Sequence, residues 1–176
     1  IMARLQEHYE EALSLGYEVF AIVIQGSQNY NLDIHTEEYQ SDIDTKCIVL
    51  PTLEDICLNR KATSCTHVRE NNEHIDFKDL RKIVGDFKKQ NINFLEVLHS
   101  KYRIINDDYA TLFQPMFDCA EEISCYDNYK FVRATAGMSM EKHKALTLDR
   151  PSQHEEIVEH GWATKQLHHL FRLRTF

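Results

Sequence analysis

A chain of 176 residues, 43% of them apolar and with a net charge of −8, is long enough to bury a core as one domain or as one domain with a helical appendage. The acidic balance argues against a general nucleic-acid coat. No run approaches the ~20 apolar residues of a membrane span, and the first residues read as an amphipathic segment rather than a signal peptide. Five scattered cysteines without a Cys-x-x-Cys pair point to reduced thiols and a cytoplasmic setting, with Cys119 and Cys125 more readily idle than paired.

In chain order, residues 2–15 predict a helix, with Ala3, Leu5, Tyr9, Ala12 and Leu13 on one side and Gly16 as its stop. The run Val19-Phe20-Ala21-Ile22-Val23-Ile24 predicts a buried strand over 18–25, broken by Gly26-Ser27. A long loop over 26–41 follows, then a second strand over 43–50 ended by Pro51. Thr52-Leu53-Glu54-Asp55 reads as a helix start. Residues 65–70 and 73–78 predict a hairpin across Asn71-Asn72. Helices are expected over 79–90 and 92–98, an extended piece over 102–105, and a helix over 108–124. Two more follow over 126–149 and 153–176, separated by Pro151. The outcome is an α/β (α+β) chain with a small mixed sheet flanked by helices over 1–125 and a helical C-terminal segment over 126–176. The last helix carries no stop signal at Arg174-Thr175-Phe176, so it is expected to end in mid-helix, and if further residues follow in the natural protein, part of the substrate site lies in them.

Gly26-Ser27 after an apolar strand reads as a phosphate-gripping turn. Glycine lets backbone N–H groups approach an anion, and serine adds a hydroxyl. Asp42 and Asp44 stand two apart at a strand start, which points both carboxylates one way, and hard oxygen ligands of this kind suit Mg²⁺. Asp76, in the alternating segment Glu73-His74-Ile75-Asp76-Phe77, supplies a third carboxylate. Such a set serves two-metal phosphoryl or nucleotidyl transfer. A bare Asp-x-Asp or Gly-Ser is commonly an ordinary turn, and it is the joint pattern that carries the reading.

These motifs resemble the nucleotidyltransferases of the DNA polymerase beta superfamily. Three stretches narrow the likeness to its RNA-repair-associated members: Gly26-Ser27-Gln28-Asn29-Tyr30-Asn31-Leu32, Asn91-Ile92-Asn93-Phe94-Leu95-Glu96, and Gly161 through Arg174. The resemblance implies a polymerase-beta-like fold and a metal-dependent transfer of a nucleoside monophosphate from a nucleoside triphosphate to a hydroxyl, with pyrophosphate released. It implies Asp42, Asp44 and Asp76 as catalytic ligands of Mg²⁺ or Mn²⁺. It implies Gly26, Ser27, Lys165, Arg172 and His168 (or its neighbour His169) as nucleotide contacts. The acceptor is an RNA end, a protein side chain or a small molecule. The chain departs from the family where Asn31 replaces a glycine and where fourteen residues separate Ser27 from Asp42. Asp33, Glu37 and Glu38 in that loop put acid beside the expected triphosphate.

Residues 1–129 carry 12 Lys/Arg against 23 Asp/Glu and residues 130–176 carry 8 against 5, which makes the helical end the basic part. Tyr129, Lys130, Arg133, Lys142, His143 and Lys144 are further candidate substrate contacts there. Exposed basic helix faces are mostly solvated surface, so this signal is weak by itself. Ten histidines lack zinc-site spacing, and Glu7-His8 and Glu159-His160 read as surface pairs. Neither a P-loop nor a Gly-x-Gly-x-x-Gly motif occurs. Two competing readings stand beside the transferase: a non-catalytic nucleotide- or partner-binding module, and a two-metal nuclease that would not need the Gly-Ser grip.

Overall fold

Six of the seven residues of β1 (Val19–Gln25) are buried, as an unbroken apolar run requires of a strand covered on both faces. The computed structural model describes residues 1–30, 33, 36 and 41–175. Asn31, Leu32, Glu37 and Glu38, on which part of the loop reading rests, lie outside them. β1 pairs antiparallel with β2 (Asp44–Val49), Gln25 opposite Asp44 and Ile22 opposite Cys47. On its other side it pairs antiparallel with β5 (Arg103–Ile105). β2 pairs parallel with β4 (His74–Asp79), Lys46 opposite Asp76, and β3 (Ser64–Val68) closes the sheet antiparallel to β4. The five-stranded mixed sheet has the order β3-β4-β2-β1-β5.

Helix α1 (Met2–Ser14) covers one face, where Leu5 and Ala12 join Ile22, Ile24, Cys47, Ile75 and Phe77 in the core. Each large side chain fully buried there contributes about 1.5–3 kcal/mol. The opposite face receives α4 (Ile92–His99), with α3 (Leu80–Lys88) packed beside it. Thr52 and Asp55 form the expected capping box on the short α2 (Leu53–Cys57). The hairpin turns at Asn72, whose φ of +64° a side chain able to bond locally tolerates. The expected helix over 108–124 is two helices, α5 (Asp107–Asp118) and α6 (Ala120–Ser124), broken at Cys119. Phe113 of α5 packs on Phe20 at 4.3 Å between ring centroids.

The chain divides into two compact units, Ile1–Tyr126 and Asp127–Phe176. The second contains α7 (Asn128–Ala145), α8 (His154–His160) and α9 (Thr164–Thr175), with α7 packed against α9. The single helix expected over 153–176 is interrupted because Gly161 adopts φ +80°, a left-handed cap that a glycine takes without steric cost. Glu156 then accepts the Thr164 N–H at 2.8 Å and caps the new helix.

Three side-chain expectations are corrected. His8 is fully buried rather than half of a surface pair with Glu7, and Ala3 and Leu13 are exposed. His8 lies three residues after Leu5 and four before Ala12, so the helical period places it on the core face. All five cysteines are free, and Cys47 alone among them is buried. No helix among the described residues is long and apolar enough to cross a membrane.

Candidate phosphate and metal site

β1 runs directly into the turn. Gly26 has φ +92°, where a Cβ would be strained, and Ser27–Tyr30 form a single 3-10 turn. The three residues after Ser27 are each tethered. The buried Gln28 donates from Nε2 to the Asp42 carbonyl at 2.6 Å. Asn29 donates to the Ile24 carbonyl at 2.8 Å and accepts the Ser100 hydroxyl at 2.8 Å. The Tyr30 hydroxyl donates to Glu96 of α4 at 2.5 Å. The Ser27 hydroxyl has no partner among the described residues. The turn is therefore held by its later residues, and its half-buried Gly-Ser end keeps an unbonded hydroxyl among the described residues.

Gln25 pairs with Asp44, so this turn and the Asp42-Ile43-Asp44 segment meet at one end of the β1–β2 pair. β2 begins at Asp44, one residue later than expected, so Asp42 lies outside the ladder. The peptide unit joining Asp42 to Ile43 is fixed by side chains instead. Its carbonyl accepts from Gln28, and its N–H donates to Glu73 Oε1 at 3.0 Å. The Asp42 carboxylate is exposed and makes no ion pair among the described residues. Asp44 is 42% exposed and lies 2.9 Å from His74 Nδ1.

Asp76 projects from the same sheet face as Asp44, two positions along the parallel neighbour. It is already compensated: Lys78 Nζ lies at 2.8 Å and Lys46 Nζ at 3.6 Å, and the Thr66 hydroxyl donates to it at 3.2 Å. Lys46 is 4% exposed, with its ammonium 3.4 Å from the Asn93 carbonyl and 4.4 Å from the centre of the Phe94 ring. Burial lowers its pKa, against the opposing pull of Asp76 and Glu96. The Asn91–Glu96 stretch thus acquires a local reason. It lines Lys46 on one side and holds Tyr30 on the other. Among the described residues no three His, Cys, Asp or Glu side chains close into a metal-binding group. Asp42 and Asp44, accessible hard-oxygen donors beside the Gly26-Ser27 turn, fit a divalent cation, whereas Asp76 is engaged by two ammonium groups.

Glu73 is the residue that the sequence reading passed over. It is 0% exposed and accepts from five donors: Arg4, His8 Nε2 at 3.0 Å, Arg69 at 3.0 Å, Asn71 at 2.7 Å and the Ile43 N–H. Burial alone would raise its pKa, but the bonds from His8, Asn71 and Ile43 and the charge of Arg4 prevail and hold it down. A carboxylate only accepts, so His8 donates from Nε2 and its Nδ1 takes the Thr45 hydroxyl at 3.0 Å. Burial keeps His8 below its ordinary pKa, hence neutral. This network ties α1, the β3–β4 hairpin and the Asp42–Ile43 peptide together. The core-face position of His8 was the signal for it, since a buried imidazole requires polar partners.

In the second unit, Lys165 and His168 are exposed on α9 and Arg172 is half-buried. Burial, then the charges of Arg172, Lys142, Lys165 and His168, push His169 down to about 4. Lys142 of α7 therefore joins the α9 cations within this unit.

Compared with protein-family models, with curated proteins and with solved structures, the chain finds no match.

Proposed function

We propose that the chain is a metal-dependent nucleotidyltransferase of the polymerase-beta-like type. The observation that carries the reading is the junction of the Gly26-Ser27 turn with the accessible Asp42 and Asp44, made through the 2.6 Å bond from Gln28 to the Asp42 carbonyl. Gly26 N–H and the Ser27 hydroxyl would hold phosphate oxygens of a nucleoside triphosphate. Asp42 and Asp44 would hold Mg²⁺ or Mn²⁺, which when bound neutralises charge developing on the phosphoryl group. The acceptor hydroxyl oxygen forms a bond to the α-phosphorus, the bond to the bridging oxygen of the β-phosphate breaks, pyrophosphate leaves, and the hydroxyl proton passes to Asp76. On the second unit, Lys165, His168 and Arg172 offer donors to a phosphate-bearing ligand, an RNA end among the acceptors.

The test is a calorimetric titration with the four ribonucleoside triphosphates and their deoxy forms, with and without Mg²⁺, on the wild type and Asp42→Asn. Metal-dependent binding that Asp42→Asn removes supports the reading. Absence of triphosphate binding under every condition overturns it. One observation favours a second reading, a non-catalytic binding module of the same fold: Lys46 and Lys78 already neutralise Asp76. That module would bind nucleotide without releasing pyrophosphate.

A further inference from the structure

We propose that Gln28 is a positioning residue that couples the phosphate-gripping turn to the first metal-ligand candidate, Asp42. This rests on the reading of the site given above. The Asp42–Ile43 peptide precedes β2, so no ladder bond sets its orientation. Its two polar groups are set by two buried side chains of opposite character. Glu73 pulls on the N–H from the α1 side, and it is itself fixed by four further donors. Gln28 pulls on the carbonyl at 2.6 Å, and it belongs to the 3-10 turn that starts at Ser27.

Of these two anchors, only Gln28 belongs to an element that would touch the triphosphate. Asn29 bonds to the Ile24 carbonyl and Ser100, and Tyr30 to Glu96 of α4. A shift of the turn on gripping phosphate is therefore passed to Asp42 by the Gln28 amide. In reverse, an ion drawn to Asp42 orients the peptide that Gln28 holds. Affinities for metal and phosphate are then linked, and by thermodynamic reciprocity each raises the other by the same factor.

The test measures that linkage rather than turnover. Inorganic triphosphate is titrated by calorimetry with and without Mg²⁺, and Mn²⁺ alone by electron paramagnetic resonance, on the wild type, Gln28→Met and Gln28→Glu. Both variants keep the side-chain length and remove the donor. The expected result is that the Mg²⁺-dependent gain in triphosphate affinity falls by about fivefold or more, the lower range of site-to-site coupling, while Mn²⁺ affinity alone is unchanged in Gln28→Met. A purely structural amide would lower the melting temperature and leave the gain intact, which overturns the inference and spares the site. Loss of the fold in both variants overturns it equally, by assigning the amide to stability. If the wild type shows no Mg²⁺-dependent gain, the functional reading fails and the inference with it.

Discussion

Replacing Glu73 by Gln keeps the shape of a fully buried side chain and removes its charge. Five donors converge on that carboxylate, two of them guanidinium groups, and an amide presents two of its own hydrogens to them. Removing one partner of a buried ion pair costs about 3–5 kcal/mol. Arg69 keeps its 2.7 Å bond to Glu11 and Arg4 is 34% exposed, so both recover part of the loss and the lower end, about 3 kcal/mol, is expected. For a chain of this size that is a fall in melting temperature of about 6–12 °C. Circular dichroism of thermal and guanidinium unfolding measures it, with Glu7→Gln on the exposed side of α1 as a control expected within about 0.5 kcal/mol. The pH dependence supplies a second arm. Because the folded pKa of Glu73 lies below its ordinary 4.5, its stabilisation is fully present above that pH and is lost as pH falls through the lower folded value. Neutral His8 acts in the same direction below its ordinary 6.5, where the unfolded imidazole takes up a proton first. The wild type should therefore lose stability on acidification, and Glu73→Gln should lose less from the same starting point below pH 4.5. A cost under about 1 kcal/mol for Glu73→Gln would show that the network is not integral to the fold.

Asp42→Asn combined with Asp44→Asn should abolish Mg²⁺-dependent triphosphate binding and pyrophosphate release while leaving the melting temperature in place, since neither carboxylate is buried; retained binding sinks the proposed metal role. Ser27→Ala should weaken triphosphate binding about tenfold, the value of a lost bond to a charged acceptor, and an unaffected metal-dependent nuclease activity in that variant would favour hydrolysis over transfer. His169, held at about 4, should leave the chain fully stable in this respect above its ordinary 6.5 and less stable as pH falls towards 4; a nuclear magnetic resonance titration midpoint near 6.5 would contradict its burial. Gly161→Ala forces a Cβ into φ +80° and should cost about 1–2 kcal/mol, and an unchanged unfolding curve would mean that the α8–α9 break is not fixed by this residue.

The elements with strong periodicity were legible. The apolar run 19–24, the alternation in His74–Phe77 and the Thr52 capping box all have local physical causes, and each stands where residue spacing placed it. What depended on non-local pairing was not. Nothing between 43 and 79 states that β2 and β4 run parallel, yet that pairing sets Lys46 against Asp76. An alternation argument sees two carboxylates on one face and does not see a lysine two residues on, coming from a neighbouring strand to neutralise one of them. Glu73 was read as the start of a strand because its five donors come from three separate segments of the chain. Gly161, inside a stretch quoted for its likeness to a family, carried its own stop signal for α8, and the periodic apolar residues on either side of it obscured that signal.

The candidate site has two mechanically different parts. Asp44 and Asp76 are carried by ladder-bonded strands over Thr45, Cys47, Ile75 and Phe77, all buried, so their spacing is a property of the core. Asp42 stands outside the ladder on a peptide gripped by Gln28 and Glu73. A core change such as Phe77→Leu should therefore lower stability and move Asp44 and Asp76 together, while a change at Gln28 should reach Asp42 and leave the strand pair as it is. This division suits a site in which one carboxylate must adjust to an arriving phosphate. In the proposed function, the strand-borne Asp44 would fix where a ligand sits, and the tethered Asp42 would follow the turn that grips it.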